Sequence, residues 1–103
     1  MHIYHITDRS SWLTAKMGSY YKADTLESDG FIHCCTSEQV AFVLKNWFKG
    51  AKDLVMLVID TDKLTSPVKN ENLEGGDELF PHIYGRINLD AVINDTKLVG
   101  EEN

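Results

Sequence analysis

Covalent constraint is almost missing from this chain. Its two cysteines, Cys34 and Cys35, are adjacent, and sequence neighbours form a disulfide only through a strained ring, so no disulfide framework is expected. Unpaired thiols fit a reducing compartment, which points to a cytoplasmic location. As strand residues they read as packing and not as a redox pair. Long apolar runs are also missing. The longest, Leu54 to Ile59, is six residues, far short of the roughly 20 that cross a bilayer. The opening MHIYHITDR has neither a basic lead nor an apolar signal core, so no export and no membrane partner are expected. Positive charge is scarce: ten Lys and Arg stand against sixteen Asp and Glu, a net charge of −6. Phosphate neutralisation along a nucleic acid needs the opposite balance, so a nucleic-acid partner is disfavoured. Glycine-rich phosphate loops and nucleophile elbows are lacking too, which argues against Rossmann, P-loop and Ser–His–acid hydrolase chemistry.

What is present is enough for one packed globule. A hydrophobic share of 43% over 103 residues suits a single domain spanning 1–103, with no repeat or linker to divide it. His2 to Thr7 reads as a strand, with Ile3, His5 and Thr7 on one face. Asp8 or Ser10 caps a short helix carrying Trp12, and Gly18 stops it. Residues 19–30 are mostly irregular and end in a Ser28-Asp29-Gly30 turn. Phe31 to Cys35 is a short strand, after which Thr36 and Gln39 have capping-box spacing. The next helix is the clearest: Val40, Val43, Leu44, Trp47 and Phe48 recur at helical intervals, with Gly50 beyond. By the same spacing Trp12, Phe42, Trp47 and Phe48 are assigned to the core. Leu54 to Ile59 is continuous and apolar, the buried centre of a sheet. Strands follow near Val68–Asn72, Phe80–Tyr84 and Ile93–Leu98, with turns at Glu74–Asp77 and Asn88–Ala91. Helices early and strands late give an α+β order, not an alternating one.

Three histidines have telling positions. His5 is inside a strand, His33 ends a strand that runs into a helix start, and His82 stands between Pro81 and Gly85. Strand ends hold side chains rigidly at a rim, where an imidazole can act as acid, base or hydrogen-bond donor. The bland alternative for each is one structural hydrogen bond in a half-buried setting. The helix start at Thr36 and Ser37 presents unpaired N–H groups suited to a phosphate, although both residues also serve as ordinary caps. A metal site is not expected: His2 and His5 point to opposite faces, and adjacent cysteines lack the usual ligand spacing.

The runs DGFIHCCTSEQ, NWFKG, DLVMLVID and NENLEGGDELFPHIYGRI resemble a small bacterial family catalogued as domain of unknown function 952. Its pattern sets a first strand and tryptophan helix before a DGFIH segment and an FPH(x)YG segment, in that order. The resemblance covers nearly the whole chain. It implies a fold similar to that of ADP-ribosyltransferases: a strongly bent or split, mostly antiparallel sheet with two to three helices, clamping NAD in its cleft. Carried over by position, it implies that His5 and His33 contact ribose or nicotinamide and that Ser37 faces the same cleft. Glu71 or His82 would lie on the far side, and Tyr84 would stack on a ring. Such transferases place a glutamate on a late strand; here FPHIYG fills that place and Glu71 is the substitute. The expected catalytic set is therefore His5, His33, Glu71 and His82, with Thr36, Ser37 and Tyr84 binding ligand. NAD would be substrate, not resident cofactor. The leading expectation is ADP-ribosyl transfer or N-glycosidic cleavage. A non-catalytic nucleotide-binding module and a structural interaction protein are the alternatives.

Overall fold

The computed structural model describes residues 1–72 and 78–98, so the turn expected at 74–77 lies outside the described residues. β1 (His2–Asp8) ends where Asp8 caps α1 (Arg9–Ala15), its Oδ2 accepting the Ser11 N–H at 2.9 Å. β2 (Tyr20–Tyr21), the one-turn α2 (Thr25–Ser28) and β3 (Ile32–His33) follow. A 3-10 turn over Ser37–Gln39 leads into α3 (Val40–Trp47). The remainder is strand: β4 (Leu54–Asp60), β5 (Val68–Glu71), β6 (Phe80–Ile83), β7 (Ile87–Asn88) and β8 (Val92–Leu98). This is the expected α+β order, and among the described residues no helix is long and apolar enough to cross a membrane.

The strands form three antiparallel groups, ordered β1-β4-β8, β2-β7 and β3-β6-β5. β4 is the central strand expected from its unbroken apolar run. Across β1 and β4 the register sets Ile3 opposite Ile59, His5 opposite Leu57 and Thr7 opposite Val55. One face of the pleat thus collects alternate residues of both strands, as the period-2 reading requires. α1 packs here: Trp12 is buried, and its Nε1–H donates to Asp95 Oδ2 at 2.6 Å. Asp95 stands opposite Leu57 on β8, so the indole spans the sheet and ties its edge to the helix.

Where a continuous strand over Phe31–Cys35 is expected, the chain changes partner midway. Ile32 and His33 pair with Ile83 and His82 on β6, and Cys34 N–H still donates to the Pro81 carbonyl at 3.0 Å. Cys35 instead exchanges two hydrogen bonds of 2.8 Å with Tyr4 on β1. The segment therefore bridges two sheets, and its strand character is cut to two residues. The supposedly irregular stretch also contributes β2, whose Tyr21 pairs with Ile87 and is buried. A two-residue strand carries too short an alternation to be seen in sequence.

The core gathers Ile3, Trp12, Tyr21, Ile32, Leu57, Ile59, Ile83 and Ile87, each fully buried aliphatic group contributing about 1.5–3 kcal/mol. Trp47 and Phe42, expected in that core, are not there: they are 57% and 48% exposed. α3 has no buried residue at all. Val43, Trp47 and Phe48 of its apolar stripe border an open cleft, which helical periodicity alone cannot distinguish from a core-facing stripe.

One polar network runs through the core. His5 Nδ1 stands 2.7 Å from the His33 carbonyl, while Tyr21 Oη is 2.9 Å from both His5 Nε2 and Thr7 Oγ1. A carbonyl only accepts, so the proton sits on Nδ1 and the neutral ring accepts the Tyr21 O–H; Thr7 completes the chain by donating to Tyr21. Burial lowers the His5 pKa from 6.5 to about 4, ahead of a smaller opposing effect from the His33 carbonyl. It raises the Tyr21 hydroxyl to about 12. Both groups are neutral at pH 7.

Two outcomes follow from this packing. Gly85 has φ +149°, and a Cβ there would meet Ser66, its Oγ first and its Cβ at 2.9 Å. The Ser66 hydroxyl is fixed by donating to the Arg86 carbonyl at 2.7 Å. Gly85→Ala should lower unfolding free energy by about 1–3 kcal/mol in urea titration, and an unchanged midpoint would contradict the strain. The second concerns His5. Because its folded pKa lies below its unfolded value, its stabilisation is complete above pH 6.5 and is lost as pH falls toward 4. The loss over that window is about 3 kcal/mol. Unfolding free energies at about pH 7.5 and about pH 4.5 should differ by that much more in wild type than in His5→Gln. Equal losses in the two chains would show that another group titrates.

Candidate functional site

The partner switch at Cys34 and Cys35 opens a cleft of about 910 Å³ between the sheets and α3. That volume lies in the range of small-molecule sites. His5, His33, Glu71 and His82 all line it. The structure brings the four expected catalytic residues to one cleft, but in two different states.

His33 and His82 are register partners on β3 and β6, their rings 5.4 Å apart and edge-on at 71°. Each is oriented by a carboxylate. His33 Nε2 lies 2.9 Å from Asp29 Oδ2, and His82 Nδ1 lies 2.9 Å from Glu71 Oε1. Carboxylates accept, so in the neutral rings Nε2 carries the proton of His33 and Nδ1 that of His82. The lone pairs are then at His33 Nδ1 and His82 Nε2. Phe31 holds the pair in place, stacking on His82 at 4.1 Å and 21° and tilting against His33 at 4.8 Å. His33 remains exposed, whereas His82 is only 5% exposed.

Glu71 joins this pair to Tyr84. The same Oε1 accepts the Tyr84 hydroxyl at 2.6 Å, a short charge-assisted bond. That bond, followed by the one from His82, holds the carboxyl below the usual carboxylate range and keeps it ionised at neutral pH. Tyr84 in turn has its hydroxyl pushed up by the carboxylate. Tyr84 does not line the cleft. Its ring lies against Phe31 at 5.4 Å and under Lys69 Nζ at 5.0 Å, so it orients Glu71 from behind.

His5 differs from the other two histidines. Both its nitrogens are engaged and burial keeps it neutral, so it fixes the His33 backbone from beneath. Thr36 and Ser37 are not among the residues lining the cleft. The Thr36 N–H is taken by Gln39 Oε1 at 2.9 Å, and Gln39 Nε2 reaches on to the Leu79 carbonyl at 2.9 Å. The Thr36 N–H is thus occupied, and the helix start expected to seat an anion begins with a three-residue 3-10 turn. Both cysteines are free, buried and at the cleft. Burial pushes Cys34 well up and Cys35 to about 11, so neither is an activated nucleophile.

Sequence reasoning missed three contributors. Asp29 was assigned only to a turn, although the four-residue spacing to His33 places it within reach. Phe31 was only a strand residue. The aromatic border of the cleft, Phe42, Trp47 and Phe80, was assigned to core or strand. Among the described residues no group of three or more His, Cys, Asp or Glu is placed to hold a metal ion.

Comparison with known proteins places the chain without describing its chemistry. No curated protein matches it. The crystal structure of protein CC0527 from Caulobacter crescentus is 31% identical, with a TM-score of 0.85 over 95% of this chain and 86% of that one. The solution NMR structure of CC0527 is also 31% identical, with a TM-score of 0.82 over 95% and 84%. A family model described as protein of unknown function DUF952 matches residues 6–95. With the match spanning most of its length, the chain belongs to the DUF952 family.

Proposed function

We propose that the cleft binds a nucleotide and acts at its N-glycosidic bond, with NAD as the leading substrate and water or a second molecule as acceptor. One observation carries this reading: an ionised carboxylate, Glu71, and an exposed imidazole, His33, share a cleft of nucleotide size with their orientation fixed from behind. Breaking the bond sends its electron pair to the leaving nicotinamide and leaves positive charge on the ribose. Glu71 would stabilise that charge or hold the ribose 2′-hydroxyl, and it lies on β5, a late strand as in the ADP-ribosyltransferase-like arrangement. His33 would hold a ribose hydroxyl through Nδ1. His82 and Tyr84 act as positioning residues, because both share Glu71 Oε1. His5 positions His33 through its carbonyl.

The cleft lining also includes Lys22 and Lys52. Neither forms an ion pair among the described residues, so their ammonium groups are open to phosphates within a lining that also holds Asp8, Asp24, Glu71 and Glu78. The buried Thr25 hydroxyl lines the same cleft and has no partner among the described residues. The second reading, a nucleotide-binding module without turnover, is supported by the buried, fully bonded state of His5.

Nicotinamide release from NAD separates the two. Glu71→Gln should lower release by about 10²–10³-fold with little change in NAD affinity, the pattern of a charge interaction made in the transition state. His33→Ala should weaken nucleotide binding by about 1–3 kcal/mol, measured by calorimetry. Wild type that binds nucleotide but releases no nicotinamide would replace the enzyme with the binding module. Wild type that binds no nucleotide would end both readings.

A further inference from the structure

We infer that Phe42, Trp47 and Phe80 form a stacking site for a planar heteroaromatic ring, the base of a phosphate-bearing nucleotide. The inference deepens the proposed function and rests on that use of the same cleft. An amphipathic helix normally turns its apolar stripe onto the core. α3 buries none of its residues, and Phe42, Val43, Trp47 and Phe48 all line the cleft. The rings are also organised among themselves. Trp47 meets Phe80 edge-on at 83° with centroids 6.4 Å apart and Phe42 at 72° and 5.7 Å, while Phe42 and Phe80 lie at 29° and 6.4 Å. Edge-on packing steadies an aromatic group while leaving a ring face open, and Trp47 is 57% exposed.

Charge decides between occupants. An acyl chain or an apolar peptide would need only the aromatic surface. The same cleft is also lined by charged side chains of both signs: Lys22 and Lys52, neither of which forms an ion pair among the described residues, and Asp8, Asp24, Glu71 and Glu78. A flat π-face beside free ammonium groups and hydrogen-bonding carboxylates matches a base with its phosphate and sugar hydroxyls, not an acyl chain. The ribose between them falls to His33 and Glu71. Trp47 is then a specificity-determining residue, selecting ligands that carry a ring over those that carry only a sugar phosphate.

Trp47 also provides the readout. The other tryptophan, Trp12, is buried, hydrogen-bonded to Asp95 and absent from the cleft lining. AMP or nicotinamide mononucleotide should therefore quench wild-type fluorescence, and Trp47→Phe should abolish the quench while retaining most of the affinity. By calorimetry, Trp47→Ala should weaken AMP binding by about tenfold or more, the loss of one base-stacking contact. Its affinity for ribose 5-phosphate and its melting temperature should not change. Equal AMP affinity in wild type and Trp47→Ala overturns the inference, as does failure of both nucleotides to quench wild type at millimolar concentration. Quenching by octyl phosphate that matches AMP would also overturn it, in favour of a lipid-like ligand. Absence of nicotinamide release with the AMP effects intact would remove the proposed reaction and leave the stacking site standing. Release that is present and unaffected by Trp47→Ala, with AMP affinity unchanged, would do the reverse.

Discussion

Two hydrogen bonds between Tyr4 and Cys35, each 2.8 Å, determine how this molecule is arranged. They hold the end of the Ile32–Cys35 segment against β1 while its beginning pairs with β6. Without that exchange the segment would belong to one sheet, and no cleft would separate it from the other. The exchange also fixes what surrounds it. His33 must lie at the last rung of the β3–β6 pairing, opposite His82, and its carbonyl is left without a strand partner on the β1 side. His5 Nδ1 supplies that partner at 2.7 Å. A buried carbonyl left unpaired costs about 1–3 kcal/mol, so His5 belongs to the architecture before it belongs to any chemistry.

This separation explains how three histidines of similar placement come to differ. Burial and two engaged nitrogens make His5 a neutral strut with a pKa of about 4. His82 is buried too, yet its outward partner is an ionised carboxylate, which Tyr84 and Phe31 keep in register. His33 is exposed and held by Asp29 from its own turn. His5 and His82 are equally buried, so of the three histidines His33 is the accessible one. The Gly85 turn contributes from behind the site. The chain must leave β6 just past Tyr84 with a backbone that has no room for a Cβ, because Ser66 occupies it. The FPHIYG run thus combines a buried imidazole and a phenol that share one Glu71 oxygen with the turn that follows them.

Much of this was legible in the sequence where the period was long enough to count. The central strand Leu54–Asp60, the shared face of Ile3, His5 and Thr7, the Asp8 cap and the order of late strands all follow from alternation and capping chemistry. The two-residue strands β2 and β7 do not, because two residues cannot display a period, and β3 is the part of the expected Phe31–Cys35 strand that pairs with β6. Their positions come from partners 49 to 68 residues away, from His33 with His82 to Tyr20 with Asn88. Histidine placement at strand ends pointed to the cleft, but the hydrogen bonds that make His5 a strut depend on the His33 carbonyl, and no side-chain pattern encodes a backbone acceptor. Thr36 and Gln39 carried a capping signal that was correct as local structure. The same bond takes up the Thr36 N–H, one of the groups an anion at this helix start would use.

The misassigned helix shows where patterning reaches its limit. Val40, Val43, Leu44, Trp47 and Phe48 have the spacing of a core-facing stripe, and the spacing is real. What covers the stripe is a property of the tertiary structure, and here Phe80 of β6 meets Trp47 while Val43, Trp47 and Phe48 border the cleft. Phe42 offered a clue, since it lies beside the stripe and widens the apolar arc beyond what a helix of eight residues needs against one sheet. A helix that packs this little draws its position from its two ends, the Gln39 bonds to Thr36 and Leu79 and the turn at Gly50. Local stability is lowest where buried contacts are fewest. The cleft therefore has one rigid side, built from paired strands and carboxylate-bound imidazoles, and one compliant side, built from an aromatic helix. Under the proposed function the two suit different parts of a nucleotide. Atoms whose bonds are to change need fixed partners, whereas a flat ring is bound by area and tolerates a surface that shifts by a fraction of its width.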